Sequence, residues 1–133
     1  MPRLASLTSQ ILTGIIKKAF SLAHTLDNPN PFGTSELDEF GSAVAISDTH
    51  AIVGAHKEDD NSGTLSGKAY IYNLATGTLV HTLDNPNAFG TTQSDIFGKS
   101  VGIDGNYAIV GAPQEDETGG NAQQSGKAYI FNV

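Results

Sequence analysis

Two clusters of carboxylates are the residues of this chain best suited to chemistry. Glu58, Asp59 and Asp60 stand together in HKEDDNSGTLS (56–66), and Glu115, Asp116 and Glu117 in PQEDETGGNAQQS (113–125). Oxygen-rich loops of this kind suit calcium, which takes about six to eight oxygen ligands. The same residues serve equally well as a solvated polar loop.

Other reactive types are spread less productively. The four His fall at 24, 50, 56 and 81, and two of them, His24 and His81, prove equivalent below, which fits strand packing better than catalysis. GTLSGKA (63–69) is one residue short of a phosphate loop, and Ala69 stands where Ser or Thr must reach magnesium. Lys68 and Lys127 are equivalent too and read as structural. No Ser, His and acid pattern suggests a triad. There is no Cys, hence no disulfide and no thiolate chemistry. The expectation is a non-enzymatic chain without a cofactor, calcium being the one candidate.

The elements that position these residues come from a duplication. HTLDNPN occurs at 24–30 and again at 81–87. With His24 set on His81, Asp27 meets Asp84, Asp38 meets Asp95, and AIVGA (51–55) meets AIVGA (108–112). After a two-residue insertion, SGKAYIYN (66–73) meets SGKAYIFN (125–132). Composition bias cannot keep such a register, and a period of this length marks a repeat architecture. Each copy parses into short strands: 42–46, 50–55, 68–74 and 78–83, then 99–103, 107–112 and 126–132. Asp104-Gly105-Asn106 between apolar runs is a hairpin signal. The runs are apolar throughout, which suits sheets covered on both faces. Asp27, Asp38, Asp84 and Asp95 flank the connecting loops and are expected to cap turns through Asx hydrogen bonds.

Phe40-Gly41 with Gly54-Ala55, and Phe97-Gly98 with Gly111-Ala112-Pro113, resemble the FG-GAP repeat of integrin-type β-propellers. The resemblance spans 24–133 and implies one four-stranded blade per repeat. His56 replaces the Pro of the motif in the first copy. The family's D-x-D-x-D-G calcium loop is missing, since Ser47-Asp48-Thr49 and Asp104-Gly105-Asn106 are too short.

The expected fold is therefore all-β, with two four-stranded propeller blades per chain. Residues 20–26 (FSLAHTL) align with 77–83 and supply a fourth strand, with blade one at 27–83 and blade two at 84–133. Two blades cannot close a ring that needs at least four. Association is the expected remedy, with a homotrimer of six blades favoured and the strand at 20–25 completing a neighbour's second blade.

Residues 1–19 lie outside the repeat and read as an anchoring segment, helical or extended. On a helix, Ile11, Leu12, Ile15, Ile16 and Phe20 share one side; with Leu22 they are the expected oligomer or anchor contacts. The opening PRLASLTSQILTGI resembles N-terminal attachment segments of marine tailed-phage virion proteins, and it does not read as a secretion signal.

The net charge of −7 disfavours nucleic acid as a partner, and two Lys in the anchor are too few for a membrane surface. A larger protein assembly is the expected partner of 1–19, and a surface glycan or protein that of the ring loops. The functional expectation is a structural or binding module of a virion. The rivals are a secreted or cell-surface adhesion module and a glycan-active enzyme on a propeller scaffold.

Overall fold

The computed structural model describes residues 20–30, 34–60, 64–87, 92–117 and 124–133. The anchoring segment 1–19, with Ile11, Leu12, Ile15 and Ile16, lies outside them. Among the described residues there are seven strands: β1 (Ala43–Ile46), β2 (His50–Ala55), β3 (Lys68–Asn73), β4 (Leu79–Asp84), β5 (Ser100–Asp104), β6 (Tyr107–Ala112) and β7 (Lys127–Asn132). They form two antiparallel meanders, β1-β2-β3-β4 and β5-β6-β7.

The duplicated sequence gives duplicated pairing. Val44 opposes Val53, and Val53 opposes Tyr70. Val101 opposes Val110, and Val110 opposes Tyr129. Gly105 supplies the positive φ of 52° needed in the two-residue loop joining β5 to β6. Side chains alternate across each strand, so each sheet has a forward face and a rear face. In the first sheet the forward face carries Ala45, Ile52, Ala69 and Ile71, and the rear face Val44, Val53, Tyr70 and Tyr72.

The core lies between the sheets. Ile52, Ala69 and Ile71 on the forward face of the first sheet meet Ala108, Val110 and Ala112 on the rear face of the second, with Phe97 between. A second cluster, Val53, Ala55, Tyr70 and Tyr72, is roofed by Phe40 and Leu26. Phe40 and Phe97 thus do the same job one repeat apart, each standing edge-on to an aromatic of its own sheet, Tyr72 or Phe131.

Three glycines set the spacing. A Cβ on Gly54 would lie 2.1 Å from the carbonyl oxygen of Gly98, and one on Gly67 would lie 1.9 Å from that of Phe97. One on Gly98 would lie 2.3 Å from the Lys68 carbonyl oxygen. Backbone approaches backbone here, and no larger residue fits. The connection is also stitched by Phe97 N–H to the Ser66 carbonyl at 3.0 Å and Ser94 N–H to that of Thr64 at 2.9 Å.

Residues 20–25, the strand expected to complete a neighbour's blade, form no strand in the single chain, and among the described residues the second sheet has three strands. A strand needs a partner edge, and the segment lies against the first sheet, where Leu26 packs on the rear face and the Tyr72 hydroxyl donates to the Asp27 carbonyl at 3.1 Å. Phe20 and Leu22 are left exposed, Phe20 by 90%. Nor is every strand covered on both sides: KAYIYN in β3 is buried along its length, whereas KAYIFN in β7 is not.

Gly54→Ala is expected to lower the free energy of unfolding by about 1–3 kcal/mol, the usual cost of overpacking, in urea titration followed by circular dichroism.

Candidate functional site

The acidic loops connect β2 to β3 and β6 to β7, and they are built to one plan. Asp59 Oδ1 accepts from the Leu65 N–H at 2.8 Å, and Asp116 Oδ1 from the Gln124 N–H at 2.7 Å. The Gly67 and Gly126 amides donate to the Glu58 and Glu115 carbonyls at 2.8 and 2.9 Å. Asp60 reaches across the sheets, accepting from the Thr92 hydroxyl at 3.0 Å. Glu117 is exposed.

Glu58 and Glu115 point inward and are fully buried. The Tyr70 hydroxyl lies 2.6 and 2.7 Å from the two carboxyl oxygens of Glu58, and the Tyr129 hydroxyl donates to Oε1 of Glu115. Burial pushes the Glu58 carboxyl up to about 7; the Tyr70 bond and Lys68 oppose the shift, and the Asp38 charge adds to it. Burial and the carboxylate also raise the phenols of Tyr70 and Tyr129. The carboxylates predicted to share a cation therefore go to separate partners. Among the described residues no three of His, Asp and Glu gather closely enough to hold a metal ion.

The loops entering each sheet hold a second carboxylate. Asp38 accepts from the Asn28 amide at 2.8 Å, and Asp95 from Asn85 and Asn87, both at 2.8 Å. Burial, followed by the Glu115 charge, lifts Asp95 to about 6. The Asx turns expected of the aspartates are made by asparagines instead: Asn28 and Asn85 each accept from the amide two residues on, at 3.1 Å. Asp84 pairs with the buried Lys68. Lys127, its repeat equivalent, donates to the Asp116 carbonyl at 3.0 Å and stands 3.8 Å from Glu115.

Sequence reasoning missed one cluster. Ser42 Oγ lies 2.9 Å from His56 Nδ1, and His56 Nε2 lies 3.3 Å from Glu39 Oε2 and 3.3 Å from Lys99 Nζ. These residues are not repeated: their counterparts are Lys99, Pro113 and Ile96. The signal available was the replacement of a motif Pro by His56. Burial, then Lys99, holds His56 below its ordinary pKa, so the ring is neutral near pH 7. A Ser, His and acid in contact still need free N–H donors for an oxyanion. Here the Ser42 amide donates to Glu39 and the Gly41 amide to Gly54, so neither is available. The cluster is a polar clasp: His56 of the first sheet receives Lys99 of the second. The other histidines stay apart, His24 on the Leu74 carbonyl at 2.9 Å and His50 on Thr49.

The model of the FG-GAP repeat matches residues 33–72 and 88–131, well over half of the chain. This chain belongs to the FG-GAP repeat family. No curated protein is similar enough to match it. The two sheets are two blades of that repeat, and the geometry explains its signature. Phe97-Gly98 of blade two closes on Gly54-Ala55 of blade one, so the Phe-Gly of one repeat fits the Gly-Ala of the repeat before it. FG-GAP repeats point to a β-propeller binding or structural module. Four of the repeated carboxylates of this chain, Glu58, Asp59, Glu115 and Asp116, are hydrogen-bonded within or beside their loops.

Because the Glu58 pKa is raised on folding, its contribution to stability is full below about pH 4.5 and is lost as pH rises through about 7. The wild-type melting temperature is therefore expected to rise between about pH 8 and pH 6, and that of Glu58→Gln to rise less. Equal slopes in differential scanning calorimetry would contradict the assignment.

Proposed function

We propose that this chain is a non-enzymatic structural and binding module that works as a homo-oligomeric propeller. Dimer, trimer and tetramer give four, six and eight blades, and the reading favours the trimer. The ring loops would hold a surface glycan or protein, and residues 1–19 would join the ring to a larger assembly. The setting that goes with this reading is a virion decoration or tail component. Its support is the likeness of the opening PRLASLTSQILTGI alone.

One observation carries the oligomer. Ile71 in β3 is 0% exposed, while its repeat equivalent Ile130 in β7 is 70% exposed. The strands are nearly identical; what differs is that blade one has a blade in front of it. The open forward face of blade two also bears Ile109, and the open rear face of blade one bears Val44 and Ile46. Burying each such side chain fully is worth about 1.5–3 kcal/mol. Exposed aliphatic groups gathered on two sheet faces mark an interaction surface more than a solvated one.

Native mass spectrometry is expected to find the chain as a multiple of its 13.9 kDa, with the trimer dominant. A single copy at all working concentrations would overturn the reading.

A further inference from the structure

Resting on that reading, we infer the contact itself: successive copies join head to tail, with the rear face of blade one seated on the forward face of blade two of the copy before it. The template is the interface inside the chain. There Val101 and Ile103 of β5 are partly buried against the cluster containing Ile52 and Ile71. Their equivalents, Val44 and Ile46, are 66% and 69% exposed, and Ile109 and Ile130 stand where Ile52 and Ile71 would. Each copy thus carries both halves of a contact that it already makes once within itself.

The backbone agrees. Gly98 closes on Gly54 within the chain, but its equivalent Gly41 has open space around its Cβ position. At Gly111, the equivalent of Gly54, the nearest atoms to a Cβ all belong to Ser100, its hydroxyl at 2.3 Å and its carbonyl oxygen at 3.9 Å. The pair is ready for Gly41 of one copy to close on Gly111 of the next.

The missing strand fits the same junction. Leu26 packs on the rear face of blade one, as its equivalent Leu83 packs into the cluster between the blades. The segment before Asp27 therefore already runs where the outer strand of a preceding blade would run. That blade is the neighbour's blade two, in which no strand among the described residues pairs with the outer edge of β7. Transferring the β3–β4 register sets Ile130 opposite His24 and Lys127 opposite Asp27, as Ile71 opposes His81 and Lys68 opposes Asp84. Unpaired strand edges favour addition of this kind.

Two single substitutions test the inference, since Val44 and Ile130 are exposed in one copy and changing them should leave the fold intact by circular dichroism. Val44→Asp and Ile130→Asp are each expected to reduce the oligomer to single copies. Mixed, they should form a one-to-one complex, because one retains an intact head and the other an intact tail. Gly111→Ala is expected to block assembly while leaving the single copy folded, the one close contact of its Cβ being the rotatable Ser100 hydroxyl and the other Ser100 atoms lying at van der Waals distance. In a chain without native Cys, His24→Cys mixed with Ile130→Cys should give a disulfide-linked dimer on oxidation, and neither variant alone should. A wild-type oligomer untouched by Val44→Asp or Ile130→Asp, or like-with-like disulfides, overturns this contact while leaving the oligomeric reading standing. A wild-type single copy overturns both.

Discussion

Everything in this molecule depends on one approach of backbone to backbone. Gly54 and Gly67 of blade one leave no room for a side chain because the Phe97-Gly98 segment of blade two lies directly on them. That contact fixes how far apart the blades stand. It brings Phe97 into the middle of the apolar cluster and aligns the entry loop to hydrogen-bond with residues 64–66. It also couples the two repeats, since close carbonyl packing and amide pairing meet at the same contact.

The buried carboxylates follow from the same geometry. Glu58 and Glu115 each hang from a loop that must turn back sharply, and each is held by a tyrosine of the following strand. Burying a carboxyl is costly unless it is protonated or well bonded. The raised pKa of Glu58 reflects that cost. Loops anchored from within leave Asp59 and Asp116 to tie down the return, on the Leu65 and Gln124 amides. The same carboxylates thus have a part in the architecture of both loops.

Repetition separates the structural residues from the individual ones. Tyr70 and Tyr129, Asp38 and Asp95, Asn28 and Asn85 make matched bonds in both blades. Glu39, Ser42, His56 and Lys99 have no such matches and form a clasp that is particular to the junction. Lys68 and Lys127 show the opposite case, the same residue with different partners. Lys68 finds Asp84 on a neighbouring strand, whereas Lys127, at a free edge, turns to its own loop.

The amino-acid order by itself determined the duplication, the boundaries of seven strands to within a residue, and the FG-GAP family. Periodic apolar runs, turn residues and matched spacing are local properties, and local properties are written along the chain. Only the tertiary structure decided that KAYIYN is buried and KAYIFN is not, because burial depends on whether another sheet lies in front. It also decided the state of residues 20–25, whose strand-like pattern has no partner edge in the single chain. And it alone brought Ser42 and Glu39 of the same blade and Lys99 of the next to His56, since nothing in their spacing along the chain signals that they meet.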